Sequence, residues 1–268
     1  MRSRPDTKAA LRRVATAMVA LCTACSAGES PPPGSEPAGP PFLRPDVIER
    51  HAREFDTDLS ERRAGTQAEQ AASAYILGHL QQAGYVVLLD SVPLADLVRS
   101  TNVIAEPPGG RSPSLVVAVP YDEPPDPHTA RREGAALGLM LELARALRAA
   151  APQHGVEFVA LGAEYADVGG GRLGSRRLAQ TLLDDDARPL VLTFDIEATS
   201  PSPFLAGDVP PALESAAAES FGDSVRTETA IEGSGSVFAR AGLRVVVIGG
   251  RVAEWGDPLL AFLASEAP

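Results

Sequence analysis

Past a proline-rich opening, the chain alternates between helical and extended patterns of apolar residues. "RPDVIERHAREF" (44–55) places its apolar residues at helical spacing. "TQAEQAASAYILGHLQQAGY" (66–85) predicts a longer helix, with Thr66 as N-cap, Glu69 three residues on, and Gly84 as the stop. "YVVLLDSV" (85–92) and "STNVIAE" (100–106) are short β-rich runs. "SLVVAVPYD" (114–122) is continuously apolar, as a strand covered on both faces must be. Helices are then predicted over 133–150, 174–183, 210–221 and 257–267, interleaved with strands over 156–163, 189–197 and 243–250.

Strands separated by helices of this length require crossover connections, hence a mainly parallel sheet. The expected fold is an α/β three-layer sandwich: a mostly parallel, mixed sheet with helices on both faces. Ligands of such sheets gather at the carboxyl ends of the strands. Three acidic residues stand there, Asp122, Glu164 and Asp195. Their convergence on one rim marks the candidate site.

Composition divides the chain before the first helix. Residues 1–24 hold Arg2, Arg4, Lys8, Arg12 and Arg13, then the apolar run "VATAMVAL", too short to span a bilayer. "CTAC" follows, in the manner of a bacterial lipobox, which implies cleavage after Ala24 and lipid on Cys25. The expectation is an exported lipoprotein of a cell envelope, with plain secretion as the alternative. Residues 25–41, rich in Pro, Gly and Ser, cannot bury enough apolar surface to order themselves and read as a tether, leaving 42–268 as the domain. The formal net charge is −11, and loss of residues 1–24 would make the remainder more acidic. Nucleic acid is therefore an unlikely partner, and a membrane would be reached only through lipid on Cys25. Both cysteines, Cys22 and Cys25, precede the domain, which has no internal disulfide to form.

The order of motifs resembles the co-catalytic zinc aminopeptidases, the exopeptidase family that includes the glutaminyl cyclases. The similarity rests on "RRAGTQAEQ" (62–70), "STNVIAEPPG" (100–109), "LMLELARAL" (139–147), "FVALGAEYADVGGGRLGS" (158–175) and "FARAGLRVVVIGG" (238–250). Any one is weak; five in order imply the fold. The resemblance implies two zinc ions held by His, a bridging Asp, Glu, Asp and a final His, with another Glu as general base. Paired metals lower the pKa of a shared water and polarise the substrate carbonyl.

Carried over residue by residue, most of that set is replaced. The His-x-Asp at the end of the third strand is Pro120-Tyr121-Asp122. The bridging Asp falls on Arg132 in an ungapped alignment, or is deleted if Gly134-Ala135 is aligned with the family's turn. Glu164 keeps the general-base position, but the adjacent zinc-binding Glu is Tyr165. Asp195 keeps the next ligand position, Gly256 after Trp255 stands where the last His is expected, and the family's Asp-His is Ser234-Gly235. A lone carboxylate does not hold zinc against water. Of the four histidines, only His128 is expected in a loop on this rim, and a surface His is usually just solvated. No metal or other cofactor is expected.

The triplet Asp122, Glu164, Asp195 then either caps strand ends and helix N-termini by hydrogen bonds or is neutralised by Arg132 in place of the metals. Tyr165 either fills emptied space or donates to an oxyanion. Gly169-Gly170-Gly171 lacks the Lys of a nucleotide loop, and no Gly-x-Ser-x-Gly elbow occurs. Three classes of function stay open: a silent exopeptidase-fold protein that binds a peptide, small molecule or envelope partner in the old cleft; a hydrolase with a rebuilt site; and a structural domain with a filled cleft.

Overall fold

The computed structural model describes residues 41–95, 97–150, 152, 154–197, 202–228 and 230–265. Residues 1–40 lie outside that range, and with them the signal segment, Cys25 and nearly all of the tether. Among the described residues no helix is long and apolar enough to cross a membrane.

Eight strands form one sheet in the order β1-β2-β4-β3-β5-β8-β6-β7. They are β1 (Val87–Pro93), β2 (Arg99–Ala105), β3 (Leu115–Pro120), β4 (Val156–Leu161), β5 (Leu190–Asp195), β6 (Phe204–Gly207), β7 (Arg226–Glu228) and β8 (Arg244–Gly249). The central β4, β3, β5 and β8 run parallel, whereas β2 meets β4, and β6 meets β8, antiparallel. The helices are α1 (Pro45–Asp56), α2 (Gln67–Gln82), α3 (Pro127–Ala150), α4 (Leu173–Asp184), α5 (Pro211–Phe221), α6 (Gly235–Arg240) and α7 (Gly256–Ala264).

Alternation along the central strands explains their continuous apolar sequences. Val117, Phe158, Leu192 and Val246 face a core built with α1, α2, α3, α5 and α7. Val116, Val159, Val191 and Val245 face a second core, built with α4 and α6. Each such side chain contributes about 1.5–3 kcal/mol by leaving water. The three-layer sandwich expected from the sequence is the fold observed.

Local signals decide where helices begin. The Thr66 hydroxyl accepts the Glu69 amide at 3.2 Å, as its N-cap position predicts. Glu69 departs from a capping box: its carboxylate accepts the Gly65 amide at 2.5 Å and the Ser100 hydroxyl of β2, so α2 is tied to the sheet. Two expectations are corrected. Helix α3 begins at Pro127 rather than Glu133, because a proline at the first position suits a helix start, so His128 and Arg132 lie on a helix. Strands β6 and β7, of four and three residues, extend the sheet beyond β8.

Candidate functional site

The rim predicted from the sequence exists because β4, β3 and β5 are neighbours. Pro120 pairs with Leu161 across the β3-β4 ladder, and the β3-β5 register runs through Ala118 and Thr193. Asp122 therefore lies two residues past the end of β3, Glu164 three past β4, and Asp195 at the end of β5. Asp122 and Glu164 are brought into one hydrogen-bonded unit; Asp195 lies one strand over, half-buried, accepting the Glu197 amide at 3.1 Å.

The loop after β4 is shaped by backbone contact. A Cβ on Gly174 would meet the Gly162 carbonyl oxygen and, at 2.6 Å, the Asn102 side chain, so α4 starts against the strand end without intervening side chains. Asn102 clasps both partners, accepting the Gly162 amide at 3.1 Å and donating to the Gly174 carbonyl at 3.0 Å. Ala163, fully buried, takes a left-handed φ of 56°, a conformation that costs an L-residue roughly 1–2 kcal/mol. The turn delivers Glu164 inward, onto the first turn of α4.

Glu164 is 2% exposed, and both carboxylate oxygens are engaged. Oε1 accepts the Ser175 amide at 2.7 Å; Oε2 accepts the Ser175 hydroxyl at 2.7 Å and the Ser234 hydroxyl at 2.6 Å. Arg172 Nη1 stands 3.9 Å from Oε2. Glu164, expected from the resemblance at the general-base position, thus accepts three hydrogen bonds from the protein. In that role it buries a charge with the partners such burial requires.

Asp122 does the corresponding work on the backbone. Its two oxygens accept the amides of Glu164 and Tyr165, each at 2.8 Å. Burial raises its carboxyl to about 8; the Tyr165 amide opposes the rise and the charge of Glu164 adds to it. Of the two roles open from sequence, capping is the one Asp122 performs.

Tyr165 is half-buried against the core, with its phenol oxygen buried and without a hydrogen-bond partner among the described residues. Burial, and then the nearby Glu133 charge, raise its pKa. The Arg172 guanidinium lies 5.0 Å from its ring centroid and donates to Glu197 at 2.5 Å. The cation beside Glu164 is therefore Arg172, a residue that neither of the readings left open by the sequence had named. Arg132 occupies the second turn of α3, half-buried. Arg172 holds a left-handed φ of 55° at the α4 N-cap, which turns its side chain back over the loop.

A second buried charge pair lies beneath. Arg62, 1% exposed, donates to Glu133 Oε1 at 2.8 Å, to the Tyr121 carbonyl at 2.8 Å and to the carbonyls of Phe55 and Leu59 at 2.6 and 2.7 Å. Glu133 Oε2 is buried with no hydrogen-bond partner among the described residues. Burial pushes its carboxyl well above the usual range, against the pull of Arg62. Sequence reasoning quoted Arg62 in a motif but missed its partner, which stands beside Arg132 in "RREG".

The remaining predicted positions fall elsewhere. Gly256 starts α7 against the core: a Cβ there would meet the end of the Leu43 side chain at 2.7 Å and Leu139 at 3.5 Å, so a larger residue would require Leu43 to shift. His128 is exposed on the first turn of α3. His51 and His79 pack with Tyr75 between α1 and α2, the His51 Nδ1 lying 2.7 Å from the Tyr75 hydroxyl. Among the described residues no three His, Cys, Asp or Glu are grouped to hold a metal ion.

Beside the site lies a cleft of about 670 Å³, lined from the loops that hold Glu61 and Arg63, Leu94 and Val98, Asp122 and Glu123, and Tyr165 and Asp167. Asp122 and Tyr165 line it; Glu164 and Asp195 do not.

A mixed sheet with helices on both faces, and acidic residues on the rim of its parallel strands, defines an α/β three-layer protein. The model of Peptidase family M28 matches residues 102–238, more than half of the chain, and the chain belongs to that family. Solved structures share the fold at low identity. A Tannerella forsythia glutaminyl cyclase superposes with a TM-score of 0.72 at 15% identity, covering 85% of this chain and 100% of that one. A Fimbriiglobus ruber glutaminyl cyclase gives 0.69 at 20%, with 86% and 99% covered. A leucine aminopeptidase precursor from Bacteroides thetaiotaomicron gives 0.71 at 15%, with 85% and 99% covered. None of the curated proteins compared with the chain matches it.

Proposed function

We propose that this peptidase-family protein is exported, has lost the dinuclear zinc site with its peptide-bond hydrolysis, and acts by binding a ligand in the cleft beside the old centre. The observation that carries this reading is the burial and engagement of Glu164: it is 2% exposed, Ser175 and Ser234 donate three hydrogen bonds to a carboxylate with about four lone-pair sites, a guanidinium stands 3.9 Å away, and the residue does not line the cleft. A general base needs a free lone pair aimed at a water.

The donor set supports the same conclusion for the metals. Pro120 offers no side-chain lone pair, Tyr165 presents a ring capped by Arg172, and Gly256 has no side chain to donate a lone pair. A pair of zinc ions does not fit these residues, and no step is drawn through them. Export and lipid attachment rest on the basic and apolar opening and on Cys25.

Zinc reconstitution followed by elemental analysis, with an aminoacyl-anilide assay on the same sample, tests the proposal. The expected result is no stoichiometric zinc and no turnover above the buffer rate. A bound pair of ions, or metal-dependent turnover, overturns it. Radiolabelled fatty acid should enter the wild-type protein in a bacterial host and not the Cys25→Ser variant; equal labelling would refute the lipid anchor.

A further inference from the structure

The cleft beside Asp122 and Tyr165 carries more information than its volume. Its walls are fixed. Glu123 and Arg62 exchange hydrogen bonds, the Arg62 amide donating to the Glu123 carboxylate and the Glu123 amide to the Arg62 carbonyl, each at 3.0 Å. This joins the α1-α2 loop to the loop after β3. On the opposite side, the turn between β1 and β2 leans on Gly65, where an added Cβ would meet Leu94 at 3.0 Å and Val98 closer still. Gly65 has a φ of 81°, so the close approach and the backbone both favour glycine.

The lining has two chemical characters. Leu94, Val98, Pro124 and Val168 supply an apolar surface, and Val98 and Val168 are 44% and 36% exposed. Glu61, Glu123 and Asp167 supply carboxylates, against Arg63 as the basic residue among those lining the cleft. The surrounding chain has a net charge of −11, so the field at the mouth has the same sign as the carboxylates. A volume of about 670 Å³ falls within the roughly 300–1,000 Å³ typical of small-ligand sites.

Resting on the binding role proposed above, we infer that the cleft takes a short basic peptide segment, a Lys or Arg flanked by apolar residues. The cation would meet Glu61, Glu123 and Asp167, and the flanking side chains would cover Leu94, Val98 and Val168. The recognised group is a side-chain cation; of the rim positions Asp122 and Tyr165 line the cleft, whereas Glu164 and Asp195 do not.

Calorimetric titration of the purified protein with acetyl-Leu-Lys-Leu-amide tests the inference. Acetylation removes the terminal amine, so that binding cannot come from recognition of a free peptide N-terminus. Saturable binding is expected, at least about tenfold tighter than for acetyl-Leu-Glu-Leu-amide, and weakening as salt shortens the reach of exposed charges. Glu61 and Asp167 are both exposed, so Glu61→Gln with Asp167→Asn should leave the fold intact and weaken the Lys peptide about tenfold. Absence of saturable binding, equal affinity for the two peptides, or indifference to the double variant overturns the inference. Those outcomes with a silent anilide assay and no stoichiometric zinc would sink this inference alone; metal-dependent turnover would sink the broader reading instead.

Discussion

The Ser234 hydroxyl donates to Glu164 Oε2 at 2.6 Å, joining residues 70 positions apart in the chain. Ser234 precedes α6 and Glu164 precedes α4, so one hydrogen bond connects the starts of both helices on that face of the sheet. Ser175 completes the hold from α4 itself.

Hydrogen bonds to a buried charged group contribute about 1.5–3 kcal/mol. Ser234→Ala should lower stability by about that amount, measured by urea denaturation, and Ser175→Ala by a similar amount. Neither should bring anilide turnover. A Ser234→Ala protein as stable as wild type would show that Glu164 is satisfied without it.

Asp122 predicts a pH dependence of definite sign. Its folded pKa is raised from 3.8 to about 8, so the folded state holds the proton more tightly than the unfolded chain between those values. The resulting stabilisation is complete below about pH 4 and is lost as pH rises toward 8. The difference in stability between wild type and Asp122→Asn, followed by denaturation at several pH values, should therefore shrink from pH 5 to pH 8. At pH 5 the variant should cost about 1–3 kcal/mol, because Asn offers one acceptor oxygen to two amides. A difference independent of pH would place the Asp122 pKa outside this window.

Tyr165 separates space filling from hydrogen bonding. Its hydroxyl is buried without a partner, so Tyr165→Phe should be neutral or stabilise by up to about 1 kcal/mol in thermal denaturation. Tyr165→Glu, which restores the carboxylate expected of the family, should destabilise by several kcal/mol, because Asp122, Glu133 and Glu164 already crowd the site. A destabilising Tyr165→Phe would reveal a bond made by the phenol.

Arg62 predicts the largest single loss. Arg62→Ala leaves Glu133 and three backbone carbonyls without their donor and should cost about 3–5 kcal/mol. Glu133→Gln keeps an acceptor for the guanidinium and should cost less. The reverse order in equilibrium unfolding would mean that the carboxylate charge, rather than the arginine network, sustains the pocket.

The fold was legible where packing forces a pattern. The strands β3, β4 and β5 lie between two helical layers, and both faces must be largely apolar, so "LVVAV" runs unbroken and "VEFVAL" and "LVLTF" are interrupted only at Glu157 and Thr193. The short β6 and β7 have too few residues to show any period. The start of α3 was obscured by Pro127, which ends a pattern when read inward and opens a helix when placed first.

Within the site, strand ends located Asp122, Glu164 and Asp195, and family motifs marked what had been replaced. What escaped were the partners. Arg172 reaches Glu164 because a left-handed N-cap reverses its direction, and Ser234 arrives by tertiary contact; neither leaves a local signature. Arg132 entered by alignment as one of two readings, and the pairing of its neighbour Glu133 with Arg62, 71 positions away, also has no local signature.

The close backbone contact of Gly162 with Gly174, held by Asn102, has a consequence for engineering. In this chain the loop that presents Glu164 takes its form from glycine, an asparagine clasp and two amides on Asp122. The side chains of Tyr165 and Arg172 take no part in that clasp, so the loop can be re-equipped at those two positions while its path stays set by Gly162, Gly174 and Asn102.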